Sequence, residues 1–233
     1  MLVLPLFFHT YFVQIVEKLP HLQNPHFQNE VHHTKIKEHI LIFPSSEHSI
    51  SDYKALIDMI QSKTIPIWMI SNVEYFRQTA EYWKDSTVIL HSFSGHQILK
   101  WSLEHQIYPK RLVLIGVPLQ PSCNPLLLAS AESISPTNPT ELLDWCENGS
   151  ALDLRTYPVP VWLVSSPLDF VAPPEMNFDR LPPYSHHRVG AQFFQSTIPE
   201  HEELIYHPST LLYISRFVQK KRLQHDVRKN AKY

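Results

Sequence analysis

Glycine is scarce in this chain, 4 of 233 residues, against the ~7% of ordinary proteins. A fold that makes its tight bends on glycine must set other residues there. Cysteine is scarcer still. Cys123 and Cys146 are the whole complement, with 22 residues between them. That excludes a disulfide framework and a thiolate zinc site, and it points to a reducing, cytoplasmic setting. Neither sign of charge dominates. Lys and Arg number 20 against 22 Asp and Glu, a net charge of −2, and the isoelectric point is near 6.7. Such a balance gives no whole-molecule case for a nucleic-acid partner. No apolar run reaches the ~20 residues of a spanning helix, so no stable membrane insertion is expected. The opening MLVLPLFFHTYFVQIV is interrupted by Pro5, His9, Thr10 and Gln14. No Lys or Arg precedes it and no small-residue cleavage site follows. It reads as an opening strand or buried segment, with an interfacial anchor or secretion signal as the alternatives.

Proline and histidine, in contrast, are abundant, at 20 and 15 residues. Hydrophobic residues make up 43% and charged residues 18%, a globular composition. One domain over residues 1–218 suits this length. Residues 219–233 carry Lys220, Lys221, Arg222, Arg228, Lys229 and Lys232 against Asp226 alone. That tail is basic by +5, which leaves −7 for residues 1–218. It reads as a frayed, solvated helix end, or alternatively as an arm for anionic lipid or nucleic acid.

After a His-, Pro- and Asn-rich stretch to Glu38, two kinds of segment alternate. Short apolar runs at His39–Phe43, Ile65–Ile70, Thr87–His91, Arg111–Val117, Val159–Val164 and Ala191–Thr197 read as strands. Amphipathic segments at 51–61, 73–83, 95–106 and 208–220 read as helices. This is the pattern of a three-layer α/β fold, a doubly wound and mostly parallel sheet with helices on both faces. The Pro- and Ser-rich stretch 118–158, with one helical piece at 140–146, is too long for a plain connection. It is expected to form a short cap over a site.

In open parallel sheets, functional groups gather at the carboxyl ends of strands. The strand at 87–91 passes directly into a helix through His91-Ser92-Phe93-Ser94-Gly95. A serine on such a bend is exposed, and the helix N-terminus favours negative charge beside it. Ser94 is a rival nucleophile, but the strand register favours Ser92.

Leu90-His91-Ser92-Phe93-Ser94-Gly95 resembles the nucleophile elbow of the α/β-hydrolase family, often written G-H-S-x-G-G. Leu90 and Ser94 stand where that family has glycine. The strand at 159–164 and its loop, through Ser165-Ser166-Pro167-Leu168-Asp169 to Pro173, are similar to the family's acid-bearing segment. His201, followed by His207-Pro208 and an apolar helix, is similar to its histidine segment. The resemblance covers about residues 39–218 and implies a Ser92, Asp169, His201 triad in the family's chain order. The base His201 would take the serine proton, and Asp169 would fix the imidazole tautomer. Backbone N–H groups at Phe93 and at Ser45 or Ser46 would hold the oxyanion. The first strand is followed by Phe43-Pro44-Ser45-Ser46 where the family has His-Gly, and Pro44 has no N–H to give.

Each site residue has an ordinary reading beside this one. Ser92 as a helix cap, Asp169 as a turn residue with Asp153 or Asp179 as the acid, and His201 as a surface histidine with His186 or His187 as the base all stay open. His32, His33 and His39 lack a suitably placed carboxylate, so no metal is expected, and the resemblance implies no cofactor. Cys123 and Cys146 sit on no strand-end bend. The implied function is a serine hydrolase (carboxylesterase or thioesterase) acting on a small-molecule ester or thioester. Leu126, Leu127, Leu128, Leu142, Leu143 and Trp145 are candidates to line its pocket, or equally to pack against the body. The alternative is a catalytically degenerate module that keeps the fold and binds a ligand or partner. The oligomeric state is not legible.

Overall fold

The computed structural model describes residues 13–15, 38–45, 48–60, 65, 67–70, 76–121, 139–182, 186–188 and 200–219. Seven strands run through them: β1 Val13–Ile15, β2 His39–Phe43, β3 Ile67–Met69, β4 Ser86–His91, β5 Arg111–Ile115, β6 Val161–Ser165 and β7 His186–Arg188. They form one sheet in the order β1-β3-β2-β4-β5-β6-β7, and each neighbouring pair is parallel. The helices are α1 Lys54–Ile60, α2 Ala80–Trp83, α3 Ser92–His105, α4 Pro139–Asn148, α5 Pro174–Asn177 and α6 Pro208–Gln219.

Side chains alternate between the two faces of a strand, and here both faces are covered. Ile40, Ile42, Ile89, Val113 and Ile115 pack with Leu56, Ile57 and Ile60 of α1 and with Leu211, Ile214 and Val218 of α6. Leu41, Phe43, Val88, Leu90, Leu112 and Leu114 pack with Trp83 of α2 and with Ile98 and Leu99 of α3. The central strands therefore read as unbroken apolar runs, because no face is left for polar residues.

The order of the strands reverses between β2 and β4. β2 is followed by β3 on one side, and β4 by β5 on the other. A crevice opens above the carboxyl ends of strands that part in this way. Phe43 and Leu90 are the last registered pair of β2 and β4. Ser45 and Ser92 thus leave the sheet at the same height on neighbouring strands.

Several expectations change. Helix α3 begins at Ser92, three residues before its expected start, so the nucleophile candidate belongs to the first turn. Residues Phe76–Thr79 precede α2 with a tight turn at Arg77–Thr79, and the earlier part of that expected helix lies outside the described residues. The strand expected at Ala191–Thr197 lies outside them too, as do the basic tail beyond Gln219 and Leu126–Leu128. β7 and the short helix α5 were not anticipated. β1 lies in the segment read as an opening strand. Among the described residues no helix is long and apolar enough to cross a membrane.

The stretch after β5 serves two purposes. Leu152, Leu154 and Tyr157 are buried in the core beside α3. The Leu152 N–H donates to the Leu119 carbonyl (2.6 Å) and the Leu154 N–H to the Arg180 carbonyl (2.8 Å). This part is wall rather than cover. Helix α4 instead brings Trp145 against Phe93 and Val171. Cys146, beside it, is disulfide-bonded, which corrects the expectation of a reduced thiol there.

The junction of β4 and α3 depends on Gly95. A Cβ there would stand 2.7 Å from Val117 Cγ2 and 3.0 Å from Leu90 Cβ, closer than packed carbon atoms approach. Gly95→Ala is expected to lose about 1–3 kcal/mol of stability through overpacking, measured by urea denaturation. Unchanged stability would mean that the junction has slack.

Candidate active site

Three strand ends and one loop supply the site. β4 ends at His91 in extended conformation (φ −124°, ψ 138°), and the next residue, Ser92, opens α3. Ser92 has φ +57°, a left-handed conformation that crowds the Cβ of an L-residue and costs roughly 1–2 kcal/mol. The bend turns the hydroxyl out of the sheet, toward His201. Ser92 Oγ and His201 Nε2 are 2.8 Å apart.

His201 precedes the turn Glu202–Ile205 and α6. Its Nδ1 lies 2.8 Å from Asp169 Oδ1. A carboxylate oxygen accepts, so Nδ1 carries the proton and Nε2 presents its lone pair to the serine hydroxyl. Asp169 stands in the loop after β6. Its Oδ1 also accepts the N–H groups of Val171 (3.0 Å) and Ala172 (2.7 Å). Two backbone donors thus anchor the acid from its own loop. Ser92, Asp169 and His201 are all buried, at 2%, 2% and 3% exposure, where hydrogen bonds act in a low dielectric.

The rival candidates stand elsewhere. Ser94 is two residues further along α3, and the hydroxyl that meets the imidazole belongs to Ser92. Asp153 is exposed and chelated by Arg155, whose guanidinium holds its carboxyl down to about 2. Asp179 lies in the turn after α5. His186 and His187 lie in the strand β7. His39 is buried at the far end of β2 against Trp68 and Tyr82. His32, His33, Ser46 and Cys123 lie outside the described residues.

The oxyanion candidates differ from one another. The Phe93 N–H belongs to the first turn of α3, where backbone donors have no partner within the helix and the dipole is positive. The Ser45 N–H instead donates to the Tyr53 hydroxyl at 3.0 Å. In this conformation it is committed, and as an open oxyanion donor Ser45 is corrected.

Two neighbours complete the site. His91 is fully buried, its ring stacked on His201 at 5.9 Å between centroids. Burial, with His201 and His48 nearby, pushes it well below the usual histidine range, so it is neutral. His96, one turn into α3, sits between α4 and the loop that leaves β5. Its Nδ1–H donates to the Pro118 carbonyl (2.7 Å) and its Nε2 accepts the Trp145 indole N–H (2.9 Å). Burial pushes it down to about 4, so a neutral ring ties α4 to α3. A cavity of about 680 Å³ opens beside this tie, lined by Phe93, His96, Trp101 and Trp145 together with Arg77, Lys100, Glu104 and Asp144. Leu143 is exposed on α4.

No family model matches the chain, and no curated protein does. Solved structures do. A meta-cleavage product hydrolase from Pseudomonas fluorescens IP01 is 13% identical with a TM-score of 0.56, over 78% of this chain and 89% of that one. A pyrethroid hydrolase from Sphingobium faniae JZ-2 is 14% identical with a TM-score of 0.50, over 79% and 98%. A thioesterase from the prodiginine pathway of Streptomyces coelicolor is 12% identical with a TM-score of 0.49, over 78% and 90%.

The chain has the α/β-hydrolase fold. Within that fold, Gly116 is a site residue that the sequence did not single out. Gly116, directly after β5, has φ +54°. A Cβ there would stand 2.8 Å from His201 Cε1 and 3.1 Å from Asp169 Oδ2. The available signal was its rarity, one of four glycines, placed at a strand's carboxyl end. Gly116→Ala is expected to displace the imidazole and cut serine reactivity roughly 100-fold, since ~1 Å of misplacement costs that much. The rate of phosphonylation by a fluorophosphonate checks this, and an unchanged rate would show that His201 can give way.

Proposed function

We propose that the protein is a serine hydrolase that cleaves a carboxylic ester or thioester through an acyl-enzyme on Ser92. The observation that carries this reading is the continuous chain Ser92 Oγ to His201 Nε2, and His201 Nδ1 to Asp169 Oδ1, at 2.8 Å in both links. Ser92 Oγ attacks the carbonyl carbon while its proton passes to His201 Nε2. The oxyanion forms beside the Phe93 N–H. His201 then gives the proton to the departing alcohol or thiol. Water repeats the sequence on the acyl-enzyme, which releases a carboxylic acid and restores Ser92. Asp169 holds the Nδ1–H tautomer and stabilises the imidazolium without taking the proton. No step calls for a cofactor or metal. Phe93, the residue after Ser92, also lines the cavity beside α4, which offers room for a part of the substrate.

The second reading, a degenerate module that binds without turnover, is favoured by the engagement of the Ser45 N–H with Tyr53. Loss of one oxyanion donor costs ~10²–10³ in rate. The two readings part on one experiment. Purified protein is treated with a fluorophosphonate beside Ser92→Ala and Ser94→Ala. The hydrolase reading expects labelling that Ser92→Ala abolishes and Ser94→Ala keeps. A folded wild type that takes no label favours the module.

A further inference from the structure

The hydroxyl of Tyr53 joins two parts of the site that the proposed reaction does not yet use. Tyr53 is fully buried, in the turn Ile50–Tyr53 directly before α1. Its oxygen accepts the Ser45 N–H at 3.0 Å and lies 2.6 Å from His91 Nδ1. Ser45 belongs to the loop that leaves β2 at the height of Ser92, and its hydroxyl meets His48 Nδ1. The His48 ring lies 5.0 Å from that of His91. His91 in turn stacks on His201. One phenol thus touches both the loop beside the nucleophile and the ring beside the base.

The donors and acceptors can be assigned. The Ser45 amide can only donate, so it fills one lone pair of the phenol oxygen. Burial pushes the Tyr53 phenol up, so it keeps its proton. The shortest contact of that hydroxyl is His91 Nδ1. With the phenol proton directed there, Nδ1 is an acceptor and His91 bears its own proton on Nε2. Among the described residues, His91 Nε2 has no hydrogen-bond partner. Tyr53 is therefore what fixes the orientation of this ring by hydrogen bonding.

We infer that Tyr53 is a positioning residue, whose hydroxyl sets the β2 loop and the tautomer of His91 and through them the packing of His201 against Ser92. This rests on the hydrolase reading above. Without the hydroxyl, His91 loses its anchor, the Ser45 amide loses its acceptor, and the imidazole of His201 loses a fixed neighbour on its stacked side.

Two measurements test this. Nitrogen-15 NMR of histidine-labelled wild type, with His91 assigned from a His91→Gln variant, is expected to show an Nε2–H tautomer at His91. An Nδ1–H tautomer there overturns the assignment and the inference. The phosphonylation rate of Tyr53→Phe, measured far below its unfolding transition, is expected to fall roughly 10- to 100-fold. The double variant Tyr53→Phe/His91→Gln is expected to fall no further than the slower single variant, as residues acting as a unit do. A Tyr53→Phe protein that is less stable but labels at the wild-type rate makes Tyr53 merely structural and overturns the inference, while the hydrolase reading stands. A folded wild type that does not label removes that reading, and the inference with it.

Discussion

The close approach of the end of β4 to the first turn of α3 governs this site. A strand and a helix meet there without a connecting loop, so Ser92 takes a left-handed backbone conformation at φ +57°. That conformation is unfavourable for an L-residue. It persists because the apolar packing on either side of the bend is fixed: Leu90 and Val117 are fully buried beneath it, and Gly95 has no Cβ to oppose them. The cost of the bend is set against burial of the sheet on both faces. The result is a hydroxyl lifted out of the sheet at the point where the strand order reverses.

Around that hydroxyl, polar groups are buried in ordered relation. Asp169 takes two backbone N–H bonds and the imidazole N–H on one oxygen. The acid is therefore held by its own loop before His201 engages it. Gly116 leaves the space that the imidazole occupies. His96 ties α4 to α3 through neutral hydrogen bonds to Pro118 and Trp145, and the Trp145 ring then closes on Phe93, the residue after Ser92. Neutral histidines at positions 91 and 96 let polar links pass through the interior without the cost of a buried charge.

Much of this was legible in the sequence, for physical reasons. A sheet buried on both faces writes itself as apolar runs, and β2, β4, β5 and β6 were each found within two residues of their bounds. Ser92, Asp169 and His201 follow strands or precede a helix, and the fold brings them together. Leu90 looked foreign to a tight elbow. The structure explains it: one missing Cβ at Gly95 is enough room for Leu90, so glycine on both sides is not required. What the sequence could not convey depends on contacts between distant segments. The Ser45 amide is turned to Tyr53, eight residues away, and no local pattern marks that bond. Gly116 carries its reason in the imidazole of a residue 85 positions later. The Cys146 disulfide ran against a reading from cysteine number alone. The short elements β7 and α5 lack the length that gives periodicity a signal.

The central claim is that Asp169 holds His201 in the tautomer that activates Ser92. The most direct measurement is the phosphonylation rate of Asp169→Asn beside the wild type. An amide at this position keeps the shape but can donate to Nδ1, which turns the imidazole to the wrong tautomer. The account expects the rate to drop roughly 10³- to 10⁴-fold with the fold intact by circular dichroism. A folded Asp169→Asn protein that reacts at the wild-type rate would contradict it.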